Sequence, residues 1–166
     1  MADGGQISVE APVIEVRVGT PEDVHPMMDI ALMATAENAL IEPNPQKLLA
    51  HIWSALNLES GIVGIIGAPG GIVEGAVLLR IGSLWYSDAL VIEEKAIYTH
   101  PQYRSAKGGR ASRLIEFSKK TSDAIGLPLV IGVLSANRTA AKERLYRRHF
   151  GEPSGAYWVY RPTENG

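Results

Sequence analysis

Residues 89–111 read Ala89-Leu90-Val91-Ile92-Glu93-Glu94-Lys95-Ala96-Ile97-Tyr98-Thr99-His100-Pro101-Gln102-Tyr103-Arg104-Ser105-Ala106-Lys107-Gly108-Gly109-Arg110-Ala111. The first ten residues read as a strand that stops at His100-Pro101, because proline has no N–H for a sheet and restricts the residue before it. Gly108-Gly109 opens a helix to about Ile125, with Ala111, Leu114, Ile115 and Ser118 on one face. A basic, glycine-containing turn lies between them. Such a turn points successive backbone N–H groups at one spot and adds the field of a helix N-terminus, which suits a pyrophosphate. Neither G-x-x-x-x-G-K-[ST] nor G-x-G-x-x-G occurs there, which excludes a Walker A loop and a dinucleotide fingerprint. Taken alone, the turn reads equally as an ordinary strand-to-helix connection.

The rest of the chain alternates similar units. Ile14, Val16 and Val18 alternate with Glu15 and Arg17 in a half-buried strand over 13–18. Thr20-Pro21-Glu22-Asp23 starts a helix with a hydroxyl cap, a first-turn proline and acids at the positive end. A second helix is expected over 45–56, where Leu48, Leu49, Ile52, Trp53 and Leu56 form one stripe and Trp53 belongs to the core. Strands over 62–66 and 72–81 flank Ala68-Pro69-Gly70-Gly71, a hairpin turn. The unbroken apolar run 127–134 has the pattern of a central strand buried on both sides. A last helix over 139–149 and a closing strand over 157–161 complete a mixed α/β unit. The expected organisation is a tail over 1–12, one domain over 13–161 and a short tail over 162–166.

A chain of 166 residues, 46% hydrophobic and 20% charged, suits one globular domain and excludes disorder. The absence of Cys excludes a disulfide scaffold, thiolate metal sites and a cysteine nucleophile, and fits a cytoplasmic location. The N-terminus carries no secretion-signal pattern, and the apolar stretch 61–81 is broken by Pro69, Glu74 and Arg80, so no membrane span is expected. His25, His51, His100 and His149 lack metal-ligand spacing, and no metal is expected. The net charge of −2 conceals an asymmetry: residues 95–148 hold twelve basic and three acidic residues, +9, while the remainder holds four basic and fifteen acidic, −11. Charged helix faces are commonly just solvated. The basic segment also suits a polyanion, and the acidic remainder a cationic partner.

The loop resembles the acyl-CoA loop of the GCN5-related N-acetyltransferase (GNAT) superfamily, [QR]-x-x-G-x-[GA], after a strand ending in a His-Pro-x-Tyr-Arg-like phrase. Arg104 fills the first position and Gly109 the last, with Lys107 where the middle glycine stands and Gly108 beside it. The element order over 13–161 is similar to that of the superfamily, and Asn137 followed by Leu145-Tyr146 is a second local match. The resemblance implies a GNAT-like fold: a mixed, mostly antiparallel sheet of six to seven strands flanked by about four helices. It also implies transfer of an acetyl group from acetyl-CoA to a primary amine by direct attack in a ternary complex.

By the same resemblance, backbone N–H groups of Ser105, Ala106, Lys107, Gly108, Gly109 and Arg110 would hold the pyrophosphate, with Arg104 and Lys107 assisting. Main-chain groups of Ile97, Tyr98 and Thr99 would run beside the pantetheine arm, and Asn137 would contact the cofactor. Tyr146 looks like the acid that protonates the departing thiolate; read as a residue alone, it equally anchors the last helix. An amine with a lysine-like pKa is neutral in only about one molecule in two thousand at pH 7, so a base is useful. Glu93 and Glu94 stand where the superfamily places one, and since adjacent strand residues face opposite ways, at most one reaches a cleft. Glu94 is the better candidate, although both can equally be solvated or paired. Two alternatives fit the same residues: a non-catalytic CoA-binding or protein-interaction module, and a nucleic-acid-associated modifying protein. Exposed strands at either end of the sheet would also allow a homodimer.

Overall fold

In the computed structural model, which describes residues 14–104 and 109–163, each element starts where the local chemistry requires it. After β1 (Arg17–Val18), a 3-10 turn over Pro21–Asp23 leads into α1 (Val24–Asn38). Asn44 caps α2 (Pro45–Leu56), its side-chain oxygen accepting from the N–H groups of Gln46 and Lys47 at 2.9 and 3.3 Å. Then follow β2 (Gly61–Ile66), β3 (Gly75–Ser83), β4 (Leu90–Thr99), α3 (Arg110–Ile125), β5 (Leu129–Val130) and α4 (Thr139–Phe150). The sheet order is β1-β2-β3-β4-β5, antiparallel except for the β4–β5 pair, which is parallel and connected through α3.

The period of two along the strands divides the core between the two faces. Val63, Ile65, Ala76 and Tyr98 pack with Met27, Ile30, Ile52 and Leu56 of α1 and α2. Ile66, Val77, Leu79 and Ile92 pack with Leu114 of α3 on the other face. Gly64 lets α3 come close, since a Cβ there would lie 2.6 Å from the Phe117 ring. An ion pair fixes the entrance to α1: Asp23, fully buried, takes both guanidinium arms of Arg17 at 2.8 and 2.9 Å and the N–H groups of Thr20 and Gly70 at 2.9 and 3.0 Å. The Arg17 bond holds the Asp23 carboxyl well below the usual carboxylate range despite its burial.

The structure departs from the sequence expectation in five places. The sheet has five strands among the described residues, not six or seven. β1 is confined to Arg17–Val18, and position 13 lies outside the described residues. The 127–134 run is an edge, not a central strand, because only Leu129 and Val130 pair and Leu134 is 57% exposed. Its apolar residues pack toward α3 or line a cleft. The expected closing strand over 157–161 is irregular, with Trp158 88% exposed, since aromatic β-propensity reflects fit to a pleated, half-covered surface and none is offered here. On α2, Leu49 and Trp53 are exposed, so the buried stripe is narrower than expected and Trp53 is not a core residue.

Candidate active site

The site exists because two strands part company. β5 pairs with β4 through Ile92–Leu129 and Glu93–Val130, and the chain then diverges. The gap is a cleft of about 460 Å³ between β4 and residues 130–135, closed by Thr35 and Asn38 of α1 and by Lys142 and Tyr146 of α4. On the other side of β4, Leu78 pairs with Ala96 and Leu79 with Glu94, so Lys95 is a one-residue bulge. Bulges re-aim neighbouring side chains and are frequent beside active sites.

Glu94 and Tyr146 meet in this cleft, the Tyr146 hydroxyl donating to Glu94 Oε2 at 3.5 Å. The Gly132 N–H reaches the same oxygen at 3.5 Å, which spans the gap between the strands. Burial pushes the Glu94 carboxyl up to about 7, with Gly132, Tyr146, Lys95 and Lys142 pulling the other way. Burial and the Glu94 charge push the Tyr146 hydroxyl far above its ordinary value. Glu93 also borders the cleft, where strand alternation predicts that at most one of the pair would, but it accepts from Lys95 Nζ at 2.8 Å. Of the two adjacent carboxylates, Glu94 is therefore the one beside Tyr146.

At the far end of β4, Arg104 turns back into the protein. Its Nε donates to the Thr99 carbonyl at 3.0 Å, one terminal nitrogen donates to Glu37 Oε2 at 2.7 Å, and its guanidinium lies 5.0 Å over the Tyr98 ring. Tyr98 donates to the same Glu37 oxygen at 2.8 Å. The Arg104 bond holds Glu37 below its ordinary range, and burial with the Glu37 bond raises Tyr98. Ile97 lines the cleft, while the buried Thr99 hydroxyl has no partner among the described residues. Asn137 donates its amide to the Glu37 carbonyl, and the Ala136 N–H reaches the Asn38 carbonyl at 2.9 Å. These two bonds satisfy end carbonyls of α1 that have no partner within the helix.

Ser105, Ala106, Lys107 and Gly108 lie outside the described residues. Gly109, next in the chain, takes the left-handed conformation (φ 57°) as the N-cap of α3, a shape that glycine adopts without strain. The first N–H groups of α3 have no intrahelical acceptor. The Arg110 side chain is turned away from solvent, donating to Glu74 at 3.1 Å and stacking 4.8 Å over Tyr103. One turn on, Ser112 Oγ lies 3.2 Å from His149 Nε2, and His149 Nδ1 lies 3.1 Å from Glu116, which ties α4 to α3.

No protein-family model matches the chain, and no curated protein matches it in sequence. Solved structures do match in shape. The aminoglycoside N-acetyltransferase AAC(6')-Iy in complex with CoA superposes with a TM-score of 0.70 at 14% identity, over 93% of this chain and 97% of that one. The ribosomal-protein-alanine N-acetyltransferase of Brucella melitensis biovar Abortus 2308 gives 0.65 at 15% identity, over 91% and 100%. The aminoglycoside 6'-N-acetyltransferase AAC(6')-IG of Acinetobacter haemolyticus gives 0.62 at 11%, over 92% and 100%. The chain has the fold of these N-acetyltransferases, a GNAT-like fold.

Within this GNAT fold, sequence reasoning singled out Glu94 and Tyr146, 52 residues apart, and they meet. It missed Lys142, which lines the same cleft. The signal was available, since Lys142 and Tyr146 are four apart and share a face of α4. It also missed the fastening of Arg104 to Glu37, which no local spacing encodes. Among the described residues, no group of three His, Cys, Asp or Glu side chains is placed to hold a metal, and no helix is long and apolar enough to cross a membrane.

Proposed function

We propose that this GNAT-fold chain transfers an acetyl group from acetyl-CoA to a primary amine. The observation that carries the reading is the meeting of Glu94 and Tyr146 in the cleft between the diverging strands. The first turn of α3, entered through left-handed Gly109, offers N–H groups for a pyrophosphate, and the preceding residues 105–108 would extend that cradle. Arg104 would act by setting where this loop begins, because its own guanidinium is engaged by Glu37 and Thr99. The β4 backbone at Ile97, Tyr98 and Thr99 would lie along the pantetheine arm, with an N–H polarising the thioester carbonyl.

The bond changes then balance. A cationic amine gives a proton to ionised Glu94 and its nitrogen attacks the thioester carbon. As the C–N bond forms and the C–S bond breaks, Tyr146 gives its proton to the sulfur. The hydrogen bond between the two side chains returns a proton from Glu94 to Tyr146, and the second proton of the acylated nitrogen leaves to solvent as the neutral amide forms. Because Glu94 titrates near 7, the rate rises with pH through neutrality.

The first test is calorimetric titration of acetyl-CoA, with an adenine nucleotide lacking the pantetheine arm as control. Micromolar affinity, about −8 kcal/mol, is expected for acetyl-CoA, and amine-dependent release of free thiol should follow. Absence of acetyl-CoA binding overturns the proposal, and binding without turnover against an amine panel leaves the non-catalytic CoA-binding module. A second copy pairing along the outer edge of β5 belongs to the same proposal, since among the described residues no strand pairs with that edge and residues 157–160 are exposed.

A further inference from the structure

We infer that Lys142 is a positioning residue of this cleft, clasping the end of α1 to the loop before α4 and supplying the positive charge against which the Glu94–Tyr146 pair is set. Its ammonium has three protons and meets three oxygens: Asn38 Oδ1 at 2.7 Å, Ser135 Oγ at 2.9 Å and the Asn137 carbonyl at 3.2 Å. All three acceptors are neutral. The ammonium is therefore satisfied in hydrogen bonding while no contacting carboxylate cancels its charge, and its field extends into the cleft that it lines. It also lies at the negative end of α1, where a cation is favoured. Lys142 and Tyr146 stand four residues apart on α4, so the helix that presents the acid presents the charge beside it.

The charged groups around Lys142 come from several elements. Glu37 of α1 and Glu94 of β4 favour its charged form, while Arg104 and Arg138 oppose it and burial holds it below the usual lysine range. Around Glu94, Lys95 on its own strand and Lys142 across the cleft favour ionisation, and Tyr146 and the Gly132 N–H bond the same carboxylate. A carboxyl that burial has already lifted to about 7 has little margin. Loss of a cation would raise it further and leave less of it ionised at neutral pH, when it must accept a proton.

The role in turnover rests on the transfer reading, whereas the electrostatic part does not, and the experiment separates them. The carboxyl carbon of Glu94, assigned by its absence in Glu94→Gln, is titrated by NMR in the wild-type chain and in Lys142→Arg, Lys142→Gln and Lys142→Met. The amine-dependent pH–rate profile is recorded alongside. Both neutral variants should move the Glu94 midpoint upward by about half a unit or more, with Lys142→Arg holding it near the wild-type position. Lys142→Gln retains hydrogen-bonding capacity, so it reads the charge even where Lys142→Met loosens the loop. The acid limb of the rate profile should move with the NMR midpoint. An unmoved midpoint in both neutral variants overturns the inference, even if turnover or thermal stability falls. A moved midpoint in a chain that transfers no acetyl group overturns the transfer reading and supports the electrostatic part.

Discussion

At the scale of single residues, the proton-accepting role proposed for Glu94 pulls against what its surroundings favour. Its carboxyl is raised in the folded chain to about 7 from an ordinary 4.5. The folded state therefore favours the protonated form, and this contribution is fully present below about pH 4.5 and lost as pH rises through 7. Glu94→Gln, which cannot ionise, should be more stable than the wild type by about 3 kcal/mol at pH 8, and the gap should close near pH 4. Urea unfolding at the two pH values measures it. The same variant should lose about 100-fold or more in kcat, read by thiol release. Tyr146→Phe should lower kcat by about 10- to 100-fold while the KM for acetyl-CoA stays nearly constant, as the role proposed for the hydroxyl at the departing sulfur requires. Equal stabilisation at both pH values would show that Glu94 is not held protonated by the fold.

At the scale of elements, what the sequence encodes locally is what it revealed. The α2 boundaries follow from Pro45 and the apolar stripe ending at Leu56, and the β2–β3 hairpin follows from Ala68-Pro69-Gly70-Gly71. The 127–134 run was misread because burial against two layers and lining of a cleft both demand apolar residues, and only the pairing partner tells them apart. The Asp23 lock is legible as a helix-start acid, but neither its pairing with Arg17 across the β1–α1 turn nor the Gly70 N–H that joins it from 47 residues away follows from local spacing. Asp23→Ala leaves the Arg17 guanidinium without its carboxylate and should cost about 3–5 kcal/mol in chemical denaturation. The depressed Asp23 pKa means that its contribution is present above its ordinary 3.8 and lost as pH falls below it, so the variant should show a flatter acid-unfolding profile. Gly64→Ala tests the β2–α3 approach: the added methyl meets the Phe117 ring, and a loss of about 1–3 kcal/mol should be partly recovered by adding Phe117→Leu.

At the scale of the whole molecule, the cleft is walled by parts of very different anchorage. β4 and α1 belong to the core, whereas α4 contributes no residue to the buried apolar core. α4 is held by polar fastenings: His149 to Glu116 and Ser112, and Lys142 to Asn38, Ser135 and Asn137. Elements with few buried apolar contacts open at low free energy, so α4 should exchange its amide hydrogens much faster than β2 or β3. A ligand that bridges the α3 N-terminus, β4 and Tyr146 binds only when α4 is in place. Acetyl-CoA at about one hundred times its Kd should add about 2.7 kcal/mol to the folded state, raising Tm by roughly 5–10 °C for a chain of this size. The gain in hydrogen-exchange protection should be concentrated in 139–150, with the nucleotide lacking the pantetheine arm protecting α3 alone. A uniform gain across the core strands would instead mean that α4 opens only with global unfolding, and that its polar fastenings couple it to the core as firmly as apolar packing would.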